Sequence, residues 1–174
     1  METIRCESFV KPYAQSTEGS FLPNGGLVYE VDPVTASFRI LKHGLWAADG
    51  LWIDQVAGLL YVGQLFARSV WVYDLVRGVD LGVQLKGLPS GLLDDFTLSS
   101  DRQSVLGCDW LNGSIVAFPA YQSAADVRVV ATGLGHPTSA RLGSGPGFDG
   151  SLIVTEGSGL FPAQHASRVF KVEL

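Results

Sequence analysis

The chain has 174 residues, of which 47% are hydrophobic and 17% charged, with 21 glycines and a mean hydropathy of +0.24. This composition is typical of a globular, turn-rich protein and excludes disorder or a collagen-like fibre. The net charge is −5, and the 12 basic residues are scattered rather than clustered. Nucleic acids and anionic membranes are therefore not expected as partners.

The first 26 residues show little periodicity and end in the turn sequence Pro23-Asn24-Gly25-Gly26, so we expect an irregular segment over residues 1–26. Charges break up the first 20 residues, so a signal peptide is not expected, and the sequence has no run of about 18 apolar residues that could cross a membrane. A cytoplasmic location is expected, with secretion of a longer form left open. Cys6 and Cys108 are expected to be free thiols, Cys108 as a small buried side chain.

Two short alternating segments follow, at residues 27–32 and 37–41, joined by the turn sequence Asp32-Pro33-Val34-Thr35. They predict a pair of antiparallel strands that form the outer half of a small sheet.

A pattern of three short strands then recurs three times, with a glycine in or beside many of the strands. Successive units start 46 and 41 residues apart. The strands are predicted at 49–54, 59–63 and 69–74, at 95–99, 104–108 and 113–118, and at 136–142, 151–155 and 168–172. Fourth strands are predicted near 79–85 and 127–131, and Asn112-Gly113 is read as a hairpin turn rather than a glycosylation site.

Repeats of about 40–50 residues built from short strands, with no helix between them, are typical of propeller blades. We therefore predict an all-β fold, an incomplete propeller of the six-bladed type over residues 27–174. It would hold about three to three-and-a-half blades, near 27–41, 47–86, 93–132 and 136–174. Open blade edges favour self-association. A truncated product, two chains completing one ring, and an open arc all remain possible explanations.

Three strings resemble a known family. Asp49-Gly-Leu-Trp-Ile-Asp54, followed by Gly-Leu-Leu-Tyr-Val-Gly, resembles the inner strand pair of the SMP-30/gluconolactonase/strictosidine-synthase-like six-bladed propellers. Leu93-Asp-Asp-Phe-Thr-Leu-Ser-Ser-Asp101 and Gly135-His-Pro-Thr-Ser-Ala-Arg-Leu142 resemble fungal members, among which are biosynthetic hetero-Diels–Alderases. The resemblance covers about residues 26–174 and corresponds to the C-terminal half of such a protein.

The first residues of the inner strands meet at the mouth of a propeller channel, which identifies candidate site residues. Asp95 and His136 are the catalytic candidates, while Trp46, Asp49 and Phe96 are candidates for substrate binding. A competing interpretation is that Asp49 and Asp95 only cap turns. Asp94 and Asp95 should face opposite sides of the sheet, so that one points to the channel and the other anchors a turn.

The resemblance also implies a cofactor, because hydrolases of the family bind one divalent cation through a Glu, an Asn and an Asp from separate blades. Asp95 matches the Asp and Asp49 falls where the Asn or Asp is found, so both are candidate metal ligands. The Glu belongs to a first blade that this chain lacks. The expectation is therefore no cofactor, or one Ca²⁺, Mg²⁺ or Mn²⁺ ion in a hydrolase.

Three functions are open at this point. The leading one is a cyclase of fungal natural-product biosynthesis, similar to a hetero-Diels–Alderase, that orients an apolar small-molecule substrate at the mouth. The alternatives are a divalent-metal-dependent lactone hydrolase and a non-catalytic remnant.

Overall fold

The computed structural model describes residues 22–86, 93–120, 126–157 and 167–174, together with the backbone of residues 3–7. These residues form fourteen strands and contain no helix, so the all-β prediction is confirmed. The strands are β1 Thr3–Glu7, β2 Gly26–Val31, β3 Phe38–Leu45, β4 Ala48–Asp54, β5 Leu59–Gln64, β6 Ser69–Asp74, β7 Val79–Lys86, β8 Leu93–Leu98, β9 Ser104–Asp109, β10 Ser114–Pro119, β11 Arg128–Ala131, β12 His136–Leu142, β13 Ser151–Gly157 and β14 Arg168–Glu173. No helix in these ranges is long and apolar enough to cross a membrane.

The strands form four antiparallel sheets that follow one another along the chain. The sheets contain β1–β3, β4–β7, β8–β11 and β12–β14, and strands adjacent in sequence are adjacent in each sheet. Strand β4 packs on β8, and β8 packs on β12, so the first strands of successive sheets lie side by side. This is the arrangement of propeller blades, and the partial-propeller prediction is confirmed.

Strand β1 corrects the expectation of an irregular segment over residues 1–26 for residues 3–7, while residues 8–21 lie outside the described part of the chain. Its residues pair antiparallel with β2, with Thr3 opposite Val31 and Glu7 opposite Leu27. Five residues are too few for alternation to stand out in the sequence. What orders them is the hydrogen-bonding edge that β2 presents, because an unpaired edge leaves a row of backbone groups without partners.

Three of the described loops, after β4, β6 and β9, are four residues long and share one design. In the loop after β4, Asp54 Oδ1 accepts hydrogen bonds from the backbone N–H groups of Val56 and Ala57, and Gly58 closes the loop with φ +66°. The loop after β9 ends in Gly113 with φ +59°, as expected for an Asn-Gly turn. The last position of the loop needs a positive φ, which glycine adopts without steric cost, and this explains the recurring Asp-x-x-x-Gly spacing.

Each pair of neighbouring sheets encloses its own apolar core. Trp71 is buried between the first and second sheets, Tyr61 and Phe96 between the second and third, and Leu152 between the third and fourth. Burial of a large apolar side chain stabilises the fold by roughly 1.5–3 kcal/mol. Cores between sheets, rather than one central core, therefore hold the arc together.

Gly50 marks a point at which β4 and β8 approach each other closely. A Cβ atom at this position would lie 2.6 Å from the backbone oxygen of Asp94 and 2.6 Å from the Cα of Asp95. Only glycine leaves room for this contact between backbones. The glycine after Asp49 therefore brings Asp49 next to Asp94, and this contact positions the candidate site.

Candidate functional site

The first feature of the site is a pair of aspartates on neighbouring inner strands. Asp49 lies near the start of β4 and Asp94 near the start of β8. Their carboxyl groups are hydrogen-bonded to each other. A hydrogen bond between two carboxyls requires a shared proton, so the pair carries one negative charge rather than two.

Both carboxyls resist ionisation. Burial, reinforced by repulsion from Asp49 and Asp95, raises the pKa of Asp94 to about 8. Asp49 keeps an open side toward solvent, but the surrounding strands displace enough water to raise its pKa as well, and Asp95 adds repulsion. The hydrogen bond from Asp94 opposes this shift at Asp49. We therefore assign the proton at neutral pH to Asp94 and the charge to Asp49.

Asp95 is buried, with 8% of its surface exposed, and its oxygens are engaged in hydrogen bonds. Oδ1 accepts the backbone N–H of Phe96, while Oδ2 accepts the hydroxyl of Ser139 and Nη1 of Arg141, each at 2.6 Å. The two partners of Oδ2 lie on β12, so Asp95 ties the third sheet to the fourth. The structure thus places Asp95 as an anchor between blades.

The sequence therefore located the acidic residues, and the structure places Asp95, the predicted catalytic residue and metal ligand, in hydrogen bonds to Ser139 and Arg141. Asp94 and Asp95 do face different surroundings, as the alternation in a strand requires. The register of β8 shifts between Leu93 and Phe96, however, and this irregularity decides which aspartate points toward Asp49. Ser139 and Arg141 were not predicted either, because nothing local in β12 indicates a carboxylate 46 residues away in the chain.

The predicted aromatic residues have different locations. Trp46 has 38% of its surface exposed, and its ring lies 6.1 Å from that of Phe66, so it remains available to a ligand. Phe96 is only 1% exposed and packs in the core against the backbone of Gly63. The structure does not bring Phe96 to the mouth, because its side chain fills the space between the second and third sheets.

His136 lies at the start of β12 and is held by the loop after β9. Its Nδ1 is 3.1 Å from the backbone oxygen of Trp110, and the two rings are stacked with centroids 4.4 Å apart. The position at a strand start agrees with the sequence analysis. The contacts of His136 are with Trp110 rather than with the three aspartates, so the structure does not assemble it with them.

The donor chemistry of the aspartate pair fits a divalent cation. Asp49 and Asp94 offer hard carboxylate oxygens, the ligands that Ca²⁺, Mg²⁺ and Mn²⁺ prefer. Asp95, in contrast, is committed to Ser139 and Arg141. Within the described ranges no group of three or more His, Cys, Asp or Glu side chains is arranged to hold a metal ion. The pair would therefore supply two ligands of a cation and not a complete site.

Cys108 does not contribute a nucleophile. Its thiol is free and fully buried, and burial together with the charges of Asp95 and Asp94 raises its pKa. A thiolate is the reactive form of cysteine, so this thiol is inert at neutral pH. The prediction of a small buried side chain is confirmed for Cys108, while the side chain of Cys6 lies outside the described residues.

Several solved structures share this fold. A luciferin-regenerating enzyme superimposes with a TM-score of 0.66 at 15% identity, over 85% of this chain and 51% of that one. Regucalcin from Agrobacterium tumefaciens, described as a calcium-binding protein, gives 0.64 at 14% identity over 90% and 54%. A gluconolactonase from Xanthomonas campestris gives 0.56 at 16% identity over 76% and 42%.

At these identities the likeness shows the fold and nothing finer. No family model matches the chain, and no curated protein matches it. The chain spans about half the length of the solved structures it resembles. The class of the protein is thus a partial β-propeller with the fold of regucalcin and gluconolactonase.

Proposed function

We propose that the chain belongs to a small-molecule enzyme that acts on a carbonyl compound at the Asp49–Asp94 pair, and that the reaction is cation-assisted hydrolysis of a lactone. The observation that carries this proposal is the pair itself, with two carboxyls in contact at the open end of neighbouring inner strands. The shared fold with a gluconolactonase and a calcium-binding regucalcin supports it.

Asp49 and Asp94 would hold the cation. When bound, a divalent cation polarises a lactone carbonyl and lowers the pKa of water. The chain's own groups account for the rest of the arrangement. Asp95 and Arg141 hold β8 against β12, Gly50 keeps Asp49 within reach of Asp94, and Trp46 offers an exposed apolar surface beside the mouth.

The proposal is tested first by cation binding, without reference to activity. Calorimetric titration of the chain with Ca²⁺, Mg²⁺ and Mn²⁺ should give a signal that Asp94→Asn weakens at least about tenfold, because the carboxyl of Asp94 can give up its proton and become a charged ligand when a cation binds, whereas the amide of asparagine stays neutral. The matched control is Asp149→Asn, an exposed aspartate that only accepts a backbone N–H in its own loop. Equal binding by the two variants would place any cation elsewhere.

A second function, a cation-independent cyclase similar to the hetero-Diels–Alderases, is favoured by one observation. With its pKa raised to about 8, Asp94 carries a proton at neutral pH. A protonated carboxyl can donate a hydrogen bond to a substrate carbonyl and make a polyene more reactive. Such an enzyme also needs an apolar wall, which Trp46 with Phe66 could provide.

Assays with and without EDTA distinguish the two reactions. Lactone hydrolysis should be lost in EDTA and in Asp94→Asn. Cyclisation should survive EDTA, fall modestly in Asp94→Asn, whose amide still donates a hydrogen bond, and fall more in Trp46→Ala, which loosens the orientation of the substrate. Absence of both activities, in the chain alone and in any longer form, would favour a non-catalytic remnant.

A further inference from the structure

A cavity of about 580 Å³ lies at the opposite ends of the inner strands from the aspartate pair. It is bounded by the last residues of β4, β8 and β12 and by the loops that follow β4 and β8. Its walls on β4 begin at Leu51 and end at Asp54, so at about 3.3 Å per residue they lie roughly 7–16 Å along the strand from Asp49. Neither Asp49 nor Asp94 lines the cavity, which is therefore a different site from the pair and is connected to it through Arg141 and Asp95.

Six of the lining residues are apolar, namely Trp52 and several leucine, isoleucine and valine side chains, and six are polar or charged. The charged residues that line it are two arginines, Arg102 and Arg141, and one carboxylate, Asp54. Ligand sites typically occupy about 300–1,000 Å³ and combine apolar walls with a small number of placed polar groups. The size of this cavity lies in that range, and its lining combines apolar walls with a larger share of polar groups.

The charged side chains of the cavity differ in how many of their polar atoms are already hydrogen-bonded. Asp54 is saturated, because Oδ2 receives Nε and Nη2 of Arg102 and Oδ1 receives two backbone N–H groups of its loop. Arg141 is different. Every hydrogen bond that it makes to a described residue uses Nη1, namely those to Asp95 and to the backbone oxygens of Phe96 and Ala140.

Arg141 therefore presents Nη2 and Nε, from a side chain that is 48% exposed, to the cavity that it lines. Its guanidinium carbon also lies 5.7 Å from the ring of Trp52. A guanidinium with an open edge binds a carboxylate in a bidentate manner, and an adjacent indole offers a flat apolar surface. The two features select the same ligand, one that is planar and apolar and carries an anionic group.

We propose that this cavity is a second small-molecule site, which binds a planar organic carboxylate with its acid group on Arg141 and its apolar plane on Trp52. Asp95 acts here as a positioning residue, because it fixes Nη1 and so turns the other edge of the guanidinium toward the cavity. The proposal is independent of a cation and of the reaction at Asp49 and Asp94.

The test uses the whole chain and two probes of similar shape, 2-naphthoate and the neutral 2-naphthylmethanol. Calorimetry should show that naphthoate binds at least about tenfold more tightly, because only it forms the charge-assisted pair. Arg141→Gln should remove that preference and leave the affinity for the alcohol unchanged, whereas Arg77→Gln, at an arginine in the loop after β6, should leave both unchanged. Trp52→Leu should weaken both probes.

Nuclear magnetic resonance locates the binding. Naphthoate should shift the indole N–H signal of Trp52 and the Nε–H signal of Arg141, and Asp94→Asn should bind it normally. Because Arg141→Gln also removes the partner of Asp95, its fold is checked by circular dichroism. Trp52→Leu and the comparison of the two probes in the native chain keep the test independent of that variant. Equal affinity for acid and alcohol, no binding, or shifts confined to Trp46 would overturn the proposal.

Discussion

Replacement of Gly50 by alanine tests the claim that one close contact both joins two blades and builds the site. The new Cβ would lie 2.6 Å from backbone atoms of Asp94 and Asp95, against 3.4–4 Å for an ordinary contact. The strands must therefore separate by almost 1 Å. Overpacking of this kind costs about 1–3 kcal/mol. Alanine recovers about 0.4–1 kcal/mol because it restricts the unfolded chain. The expected net loss of stability is about 1.3 kcal/mol.

Gly63→Ala is the matched control. Its Cβ would meet the ring edge of Phe96 at 3.1 Å, and a side chain can give way by a few tenths of an ångström where a backbone cannot. We expect this variant to lie within about 0.5 kcal/mol of the native chain. Urea denaturation followed by tryptophan fluorescence measures both variants. If Gly50→Ala proves as stable as Gly63→Ala, the close approach of β4 and β8 does not determine the structure.

Three further outcomes are expected. The pKa of Asp94 is raised to about 8 in the folded chain, so its contribution to stability is complete only below the ordinary value near 4 and is lost as the pH rises to about 8. Asp94→Asn has no such group, so in denaturation curves taken at each pH it should gain stability relative to the native chain across that range, by at least about 1.4 kcal/mol at pH 8. Ala36 has φ +54°, so Ala36→Gly should stabilise the chain by about 0.5–1 kcal/mol in thermal unfolding, whereas Gly78→Ala, at φ +68°, should destabilise it. Changes of the same sign in the two variants would refute the claim that positive φ favours glycine in these loops. Phe38 and Ile40 are exposed by 69% and 53% on the first sheet, so Phe38→Ser with Ile40→Thr should reduce self-association measured by light scattering, and an unchanged mass distribution would mean that this face is not involved.

The fold was largely predictable because its signals are local. Alternating apolar residues define the strands, and Asp-x-x-x-Gly loops define the hairpins, as with Asp54 and Gly58. Strand β1 was missed for the opposite reason. Its five residues carry no distinctive pattern, and their conformation depends on the edge of a strand about 20 residues later in the chain.

The site was predictable only in part, because its geometry depends on contacts between blades. The sequence indicated that Asp49 and the Asp94–Asp95 dipeptide lie at the starts of inner strands. It could not indicate that the register of β8 shifts beside them, nor that Arg141 and Ser139 would donate hydrogen bonds to the carboxylate of Asp95. The choice between the two aspartates is therefore a property of packing and not of local pattern.

The position of the aspartate pair connects stability to function. Two carboxyls brought together in partly buried surroundings destabilise the folded state when both are charged, and their raised pKa values express that cost. The surrounding contacts oppose it, because Gly50 keeps the strands close and Asp95 anchors β8 to β12 through Arg141. A bound cation or a retained proton would reduce the repulsion between the carboxyls of Asp49 and Asp94. The two proposed reactions differ in how that positive charge is supplied: lactone hydrolysis uses a bound cation, and cyclisation uses the proton on Asp94.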